Sequence, residues 1–387
     1  MKYDTQLTRA KLGGTTEHAS ETPTKFARPG KTKLTALSLF SGGGGLDLGF
    51  SAAGFNIGCS SDIDPFSCRT LVLNSGKRPF YRHAHALPAD INQISASTLL
   101  GPAGLIEHPI DLIIGGPPCQ AFSVFGRRKG LDDPRGNLVW EYLRIINEVK
   151  PQAFVFENVA GLKSIHGGKL FQEILEALSI DGLYTVAEHS YQVANFGIPQ
   201  FRDRIFFIGS RNGIKVPPLM PTHSATSLFA SKAHRTVKEA LRGLPKLESQ
   251  HTLPNHHGRN HSRRIVDRYR TLEFGERDPK TRINKLHPDR PSFTIIVGSD
   301  KGGGKGHVHP YVPREVTPRE SARMQTFPDW WEFSGTGRHV IRQVGNAVPP
   351  LFAAILAEHI KFHVFNARKQ RSYEELIDVL GLDYLRA

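Results

Sequence analysis

The sequence predicts an α/β fold, with a mostly parallel, Rossmann-like sheet covered by helices on both faces and a smaller irregular domain beside it. Three observations lead to this prediction. Short apolar runs alternate with helical segments, which is typical of parallel sheets. Glycines end two of those runs, where ligands bind in such folds. After about Ser210 the chain becomes rich in His, Arg, Pro and Gly with weak periodicity.

The first strand is predicted over residues 35–40, because this apolar run stops at four consecutive glycines, Gly42 to Gly45. A helix follows over residues 46–53. A second short strand is predicted over residues 55–59. The apolar run 111–114 is a third strand, and it too is ended by glycines.

The remaining elements follow the same reasoning. Residues 137–149 are amphipathic and predict a helix, and residues 153–156 and 205–209 predict buried strands. Residues 317–326 begin like a capped helix. Residues 349–362 form an apolar helix.

These elements predict five segments along the chain. A basic extension precedes the α/β domain, and the smaller irregular domain with its adjoining helix interrupts that domain before a final tail. In order, the segments are residues 1–33 (basic extension), 34–212 (α/β domain), 213–328 (irregular domain with adjoining helix), 329–365 (return to the α/β domain) and 366–387 (C-terminal tail).

The chain has 387 residues and a formal net charge of +14, which favours a polyanionic partner, nucleic acid first. A basic membrane-surface protein is the rival interpretation, but the sequence shows neither an amphipathic Lys/Arg helix nor a long apolar run to support it. Only 3 cysteines occur. An odd, sparse set argues against a disulfide framework and fits a reducing compartment.

The glycine run from Gly42 to Gly45 lets a ligand approach the backbone between a strand and a helix. Asp62 follows the next strand, and a carboxylate there can accept hydrogen bonds from ribose hydroxyls. The dinucleotide fingerprint G-x-G-x-x-G fails in every register, which disfavours a nicotinamide or flavin enzyme. Taken alone, the glycines fit a plain tight turn equally well.

Cys119 lies in a loop bounded by glycine and proline at a predicted strand end, whereas Cys59 and Cys68 lie within predicted elements and read as inert core residues. Glu157 ends another strand on the same predicted sheet edge. Taken alone, it is as well explained by a helix cap or a solvated turn.

Arg202 and Arg204 alternate along an extended segment just before the strand 205–209, so both side chains are expected on one side. The alternative is an edge strand whose charges prevent aggregation.

Together these runs resemble the DNA (cytosine-5)-methyltransferase family of the prokaryotic restriction–modification type. The resemblance spans about residues 35–362. It implies that residues 34–212 are the catalytic and cofactor-binding domain and that residues 213–328 are the target-recognition domain. It rests on the ordered motifs Pro118-Cys119-Gln120, Glu157-Asn158-Val159 and Gln200-x-Arg202-x-Arg204, and on two later runs, residues 319–328 and 343–350.

The resemblance implies S-adenosyl-L-methionine as cofactor, S-adenosyl-L-homocysteine as product, and no metal. The implied cofactor-binding residues are Phe40, Ser41, Gly42, Gly44, Gly45, Leu46, Asp62, Ile63, Asp90, Ile91, Gly116, Pro118, Asn346, Ala347 and Val348. Asp62 stands where many members carry Glu. The shorter side chain should still reach the ribose.

The resemblance also assigns catalytic roles. Cys119 is the expected nucleophile at carbon 6 of cytosine, which makes carbon 5 able to attack the sulfonium methyl. Glu157 would hold ring nitrogen 3 and the exocyclic amine, and Arg204 the carbonyl oxygen. Arg202 would support the site electrostatically.

Double-stranded DNA is the implied partner, with the target base flipped out of the duplex. Residues 123–138 are expected to close over that base, and a solvated basic loop is the less favoured alternative. Each candidate contact is more often a phosphate contact or surface charge than a base reader. The candidate DNA contacts are Gln120, Ser123, Arg127, Arg128, Lys129, Arg263, Arg264, Lys301, Gly303 and Gly304, with Arg268 and Arg270 as further cations.

The family implies a cytoplasmic, nucleoid-associated monomer and a cognate endonuclease that acts on the same site without a stable complex. A transfer-RNA cytosine methyltransferase with the same core is the main alternative. That branch carries a Cys-Phe-Thr run, and this chain has no cysteine after Cys119. A catalytically dead DNA-binding homologue would need a broken motif, yet Cys119, Glu157 and Arg204 are all kept. His256, His257 and His261 suggest a metal site, but zinc is disfavoured because no cysteine lies nearby.

Overall fold

The computed structural model describes residues 33–82, 85–118, 138–224, 232–250, 252–295, 297 and 306–386. The predicted N-terminal extension lies outside this part of the chain, except for Lys33. From Lys33 onward the chain forms one compact unit.

A seven-stranded, mostly parallel sheet forms the centre of the described chain, as the sequence predicts. The strands are Thr35–Leu39 (β1), Asn56–Asp62 (β2), Ala86–Pro88 (β3), Leu112–Gly115 (β4), Ala153–Val159 (β5), Thr185–Gln192 (β6) and Asp203–Ser210 (β7). Their order across the sheet is β3-β2-β1-β4-β5-β7-β6. The pairs from β3 to β5 are parallel, and β7 runs antiparallel to both β5 and β6.

Helices cover both faces of the sheet. Those of the first domain are Gly45–Ala52 (α1), Pro65–Asn74 (α2), Ala96–Leu100 (α3), Leu138–Val149 (α4) and Lys169–Ala177 (α5). Later in the chain come Val237–Leu241 (α6), Arg263–Thr271 (α7), Pro318–Met324 (α8), Gly337–Asn346 (α9), Pro350–Phe365 (α10) and Tyr373–Leu380 (α11). Short 3-10 turns occupy Ile91–Gln93, Ala160–Gly168, Val193–Phe196 and Asp383–Leu385.

The two faces of the sheet bury different sets of side chains, because successive residues of a strand point to opposite sides. Phe154 and Phe156 of β5 pack with Tyr142 of α4 on one face. Val155 packs on the other face, in the cluster that contains Phe50 of α1 and Phe352 of α10. Helices α1 and α10 therefore pack together on this second face of the sheet.

Helix starts follow the local sequence. Asp64 caps α2 by accepting a hydrogen bond from the Phe66 amide at 3.0 Å, with Pro65 at the first helical position. Thr317 and Glu320 form a capping box at the start of α8. Thr317, the first residue of the predicted helix, is therefore its cap, and the helix itself begins at Pro318.

The region predicted to recognise the target contains little regular structure. A two-stranded sheet pairs His223–Ser224 (β8) with Lys232–Ala233 (β9). Two small clusters are buried here: Val237, Ala240, Leu286, Val316 and Met324 in one, and Tyr269, Leu272, Ile283 and Val308 in the other. Val216, at the beginning of this region, packs instead into the cluster of α1 and α10. The domain boundaries stay a prediction.

The predicted C-terminal tail is folded. Helix α11 begins with a capping box of Ser372 and Glu375 and packs against α1 and α10. It buries Leu376, Ile377 and Leu380 in a cluster that also contains Trp331. The weak hydrophobic pattern of this short segment did not indicate a helix. Its packing partners lie elsewhere in the chain.

One segment, Gly337–Phe365, is long and apolar enough to cross a membrane by composition alone. The most apolar window of this segment is 83% buried inside the protein. Packing against the sheet and α1 therefore accounts for its apolar character.

Candidate active site

A cavity of about 450 Å³ opens where β1, β2, β4 and β5 end. It is lined by every residue predicted for the cofactor except Gly44, and also by Glu157 and Arg204. The other lining residues are Ser61, Asp64, Ser67, Ala89, Pro117, Leu138, Asn158, Val159, Arg342 and Gln343. Residues far apart in sequence thus meet at the carboxyl ends of parallel strands, where such folds bind ligands.

The turn between β1 and α1 needs its glycines for different reasons. Gly42 has φ +53° and lines the cavity. Gly44 has φ +81°, and a Cβ there would lie 2.5 Å from Leu71, so it serves the packing behind the turn and does not line the cavity. A Cβ on Gly45 would lie 2.0 Å from the Val348 carbonyl oxygen. Only glycine allows α1 to begin so close to the chain between α9 and α10.

The Asp62 carboxylate is fixed at the end of β2 by two backbone amides. The Gly42 amide donates to its Oδ2 at 2.8 Å, and the Asp64 amide donates to its Oδ1 at 2.8 Å. Burial raises the pKa of this carboxyl group, and the two amide bonds oppose that shift. Each oxygen keeps a lone pair that can accept a further hydrogen bond from a ligand hydroxyl.

A buried polar network lies beneath the glycine turn. Asp47 of α1 accepts hydrogen bonds from Ser38 at 2.8 Å and from Ser60. The hydroxyls of Ser38 and Ser41 are 2.9 Å apart. The network ties β1, β2 and α1 together directly below the cavity, because each buried polar group requires a partner.

Glu157 and Arg204 face each other in the lining of the cavity. Arg204 Nε lies 2.8 Å from Glu157 Oε1, and both side chains are largely buried. They are neighbours because β5 and β7 pair antiparallel, with Val159 opposite Arg204. A Cβ on Gly116 would lie 2.7 Å from Glu157 Oε2, so the glycine after β4 leaves room for the carboxylate.

Asn158 connects β5 to the loop that carries the predicted nucleophile. Its Nδ2 donates to the Pro117 carbonyl at 3.2 Å, and its Oδ1 accepts from the Val159 amide at 2.9 Å. Pro118, the last described residue of this loop, lines the cavity. Cys119 follows it directly in sequence and lies outside the described residues.

Arg202 does not share the position of Arg204. The side chain is 1% exposed and donates to two main-chain carbonyls, from Nη1 to Gly345 at 2.8 Å and from Nη2 to Asn346 at 3.2 Å. Burial, followed by the neighbouring Arg204, lowers its pKa, and Glu157 opposes the shift. The two arginines were expected on one side of an extended segment, but Arg202 precedes β7 and turns towards the end of α9.

The rim of the cavity contains an ion pair that the sequence did not indicate. Arg342 Nη2 of α9 lies 2.7 Å from Asp64 Oδ2 at the start of α2. Asp90 is also at the rim and accepts from the Asn92 amide at 3.0 Å, which caps the 3-10 turn at Ile91. The sequence feature that could have indicated Arg342 as a cavity residue is its position just before the Gln343-Val344-Gly345 run.

The candidate DNA contacts are described only in part. Arg263 and Arg264 begin α7 and are exposed. Arg268 pairs with Asp278 at 2.5 Å, and Arg270 pairs with Asp267 at 2.9 Å. The predicted contacts outside the described residues are Gln120, Ser123, Arg127, Arg128, Lys129, Lys301, Gly303 and Gly304.

The histidines that suggested a metal site have local partners. His256 is buried, with Nδ1 3.0 Å from the Thr317 hydroxyl and Nε2 2.9 Å from the Pro245 carbonyl. His261 contacts the Tyr269 ring edge-on, and its Nε2 accepts a hydrogen bond from the Glu315 amide at 3.3 Å. Within the described ranges, no group of three His, Cys, Asp or Glu side chains is arranged to hold a metal ion.

Comparison with known proteins places this architecture in a family. The family model described as C-5 cytosine-specific DNA methylase matches residues 34–362. The Type II methyltransferase M.NgoFVII of Neisseria gonorrhoeae is 35% identical over 89% of this chain and 91% of its own length. The Type II methyltransferase M.XorII of Xanthomonas oryzae is 31% identical over 85% of each chain.

Solved structures agree with these relatives. A protein from an Escherichia coli prophage, described as a DNA modification methyltransferase, superimposes with a TM-score of 0.69 and 29% identity, over 87% of this chain and 100% of that one. The Dnmt2 methyltransferase of Schizosaccharomyces pombe shares the fold, with a TM-score of 0.60 and 20% identity over 85% of this chain and 99% of its own. The chain therefore belongs to the family of C-5 cytosine-specific DNA methylases and is a DNA cytosine-5-methyltransferase.

Proposed function

We propose that this enzyme transfers the methyl group of S-adenosyl-L-methionine to carbon 5 of a cytosine flipped out of duplex DNA, through a covalent adduct of Cys119 at carbon 6. One observation carries the proposal. A single cavity holds the predicted cofactor residues, the Glu157–Arg204 pair and the proline that directly precedes Cys119.

The cavity fits the proposed cofactor in size and in donor chemistry. About 450 Å³ lies within the usual range for small-molecule sites. Asp62 would bind the ribose hydroxyls, Asp90 and Ile91 the adenine, and Asn346 would help enclose the remainder. When bound, S-adenosyl-L-methionine supplies an electrophilic methyl group, and S-adenosyl-L-homocysteine remains.

Glu157 and Arg204 would bind the polar edge of the pyrimidine. The protonated Glu157 carboxyl group would hold ring nitrogen 3 and the exocyclic amine, and Arg204 would donate to the oxygen at position 2. These bonds stabilise the negative charge that develops in the ring when a nucleophile adds. The 2.8 Å contact between the two side chains keeps both at one end of the cavity.

The Cys119 thiolate would add to carbon 6 and turn the ring into an enamine, so that carbon 5 attacks the methyl group. A base then removes the carbon 5 proton, the bond between sulfur and carbon 6 breaks, and the thiolate is regenerated. Residues 123–138, most of which lie outside the described residues, would close over the flipped base.

The biological setting proposed here is the modification half of a restriction–modification system, because the relatives above are named Type II methyltransferases. The enzyme would work as a cytoplasmic, nucleoid-associated monomer on double-stranded DNA. A separate endonuclease would cut the same site when it is unmethylated.

A covalent trap tests the mechanism. DNA amplified with 5-fluorocytosine in place of cytosine cannot release a proton from carbon 5, so the adduct should persist. We expect a species that survives denaturing electrophoresis, requires S-adenosyl-L-methionine, and maps to Cys119 by mass spectrometry. Cys119→Ser should abolish it, whereas Cys59→Ser should keep it, because burial raises the pKa of Cys59 to about 12. An adduct on another residue would refute the assignment.

A further inference from the structure

Arg202 is a buried cation whose surroundings differ from those of Arg204. Its backbone is fixed on one side by β6, since the Arg202 amide donates to Gln192 Oε1 at 2.6 Å and its carbonyl accepts from the Val193 amide at 3.0 Å. Its guanidinium reaches in the other direction, to the Gly345 and Asn346 carbonyls.

Those two carbonyls are at the C-terminal end of α9, where the last carbonyls of a helix lack partners within the helix. The same end carries the negative pole of the helix dipole, which favours a cation. Arg202, which lies outside α9, thus caps the end of that helix. It provides hydrogen-bond donors to two carbonyls at the helix end.

The end of α9 and the chain after it form one wall of the cavity. Gln343, Asn346, Ala347 and Val348 line the cavity. The Val348 carbonyl packs against Gly45 at the start of α1. On the side of α2, Thr70 donates to Gln343 Oε1 at 2.6 Å. Arg202 is the corresponding attachment on the side of the strand that carries Arg204.

We propose that Arg202 is a positioning residue that holds the Gly345–Asn346 wall against the cofactor and so couples cofactor binding to the position of Arg204. It acts through the main chain of α9 and not on the reacting atoms. The inference rests on the proposed cofactor, but it concerns a residue that the proposed mechanism does not use.

The test compares two buried arginines. Arg319 is 0% exposed and also donates to main-chain carbonyls, from Nη1 to Pro328 at 2.9 Å and from Nε to Pro254 at 3.0 Å, but it does not line the cavity. Arg202→Lys, Arg319→Lys and Arg204→Lys would each be measured for S-adenosyl-L-homocysteine affinity by calorimetry, for thermal unfolding without ligand, and for KM and kcat.

We expect Arg202→Lys to weaken S-adenosyl-L-homocysteine binding about 10-fold and to raise the KM for S-adenosyl-L-methionine, because a lysine lacks the planar fork with which the guanidinium holds both carbonyls in place. Arg319→Lys should lower the unfolding temperature and leave the dissociation constant unchanged. Arg204→Lys should lower kcat with little change in cofactor affinity.

Arg202→Met serves as a second variant that removes the charge and should weaken binding further. Unchanged cofactor affinity in both Arg202 variants, with only a loss of thermal stability as in Arg319→Lys, would overturn the inference. Failure of the unmodified protein to bind S-adenosyl-L-homocysteine would instead refute the proposed function.

Discussion

At the scale of single residues, Glu157 is the side chain on which the proposed chemistry depends most. Glu157→Gln keeps the shape and removes the group that would hold a proton on the pyrimidine. General acid–base groups contribute on the order of 10²–10⁴ to rates, so we expect single-turnover methylation to fall by at least about 100-fold. Rapid-quench measurements would check this.

The control for Glu157→Gln is Glu188→Gln on β6. Glu188 pairs with Lys163 at 3.1 Å and does not line the cavity, so its loss should leave the methylation rate within about 2-fold. An unchanged rate in Glu157→Gln would refute the role assigned to that carboxyl group.

Gly116 provides a steric test of the same carboxylate. Gly116→Ala places a methyl group 2.7 Å from Glu157 Oε2, and the carboxylate must move or rotate. We expect kcat to drop by 10-fold or more, since displacements of about 1 Å at reacting groups cost up to about 10² in rate. Gly161→Ala meets open space and should have no such effect. Equal kinetics for the two variants would show that the carboxylate position is not critical.

At the scale of elements, helix α11 is an integral part of the fold. Leu376 is 1% exposed and packs in the cluster of Trp331 and Leu351. Leu376→Ala should lower the free energy of unfolding by about 2–5 kcal/mol. Asp378→Ala on the exposed side of the same helix should cost far less. Chemical denaturation would measure both, and a negligible effect of Leu376→Ala would mean that the last helix is dispensable.

Buried histidines near α8 predict a dependence of stability on pH. Burial lowers the pKa of His309 to about 4; the neighbouring Glu320 opposes this shift, and Arg314 adds to it. A histidine that protonates more readily when unfolded stabilises the fold at pH values above its unfolded pKa of about 6.5. This stability is lost as the pH falls towards 4.

His309→Gln should therefore flatten the stability profile. Between pH 6.5 and pH 5 the free energy of unfolding should fall by about 1.5 kcal/mol more in the unmodified protein than in the variant, because the unfolded histidine is half protonated at pH 6.5 and almost fully protonated at pH 5. Urea unfolding at several pH values would measure the difference. Parallel profiles would show that His309 protonates equally in both states. His287→Gln, on a less buried ring, is the control.

The elements also show what the sequence could and could not predict. Strands β1, β4 and β5 were predicted within three residues at each end, because they are short apolar runs ended by glycines or polar residues. Strand β6 (Thr185–Gln192) was missed, since only Ala187 and Tyr191 are buried, which gives no alternating apolar pattern, and its partner is antiparallel. Helix α2 was missed as well, because its buried face includes Cys68, Thr70 and Asn74, which are small or polar, so the sequence shows no periodic apolar pattern there.

The same contrast holds for the site. Asp62 and Glu157 were singled out from their positions after predicted strands, because strand ends converge on one edge of a parallel sheet. The resemblance supplied their proposed roles, which stay predictions. The direction of the Arg202 side chain depends on carbonyls 143 residues away, and the Arg342–Asp64 pair depends on the packing of α9 against α2. Neither contact leaves a local pattern in the sequence.

At the scale of the whole molecule, the net charge of +14 predicts how DNA affinity responds to salt. Each phosphate contact releases condensed counterions, so the logarithm of affinity should fall linearly with the logarithm of salt concentration, with a slope of about −0.9 per contact. Fluorescence anisotropy with duplex DNA would measure this slope between about 50 and 300 mM salt. For roughly 6 phosphate contacts, we expect a slope of about −5. A flat response would contradict binding through phosphates.

The Arg263→Gln/Arg264→Gln double variant tests whether two of these positive charges contact DNA. If the exposed start of α7 contacts phosphates, the slope should become shallower by about 2. Arg368→Gln/Lys369→Gln, near the C-terminus, removes the same charge and should change the slope less. Equal slopes for the two double variants would show that the start of α7 does not contact DNA phosphates.

The central claim concerns methyl transfer to carbon 5 of cytosine in one DNA context. The most direct measurement incubates the protein with S-adenosyl-L-methionine and plasmid DNA and maps protected cytosines by bisulfite sequencing, with Cys119→Ser in parallel. The account predicts protected cytosines in one short recurrent sequence, all absent with the variant. Protection that persists in Cys119→Ser, or none on DNA with methylation of transfer RNA instead, would contradict it.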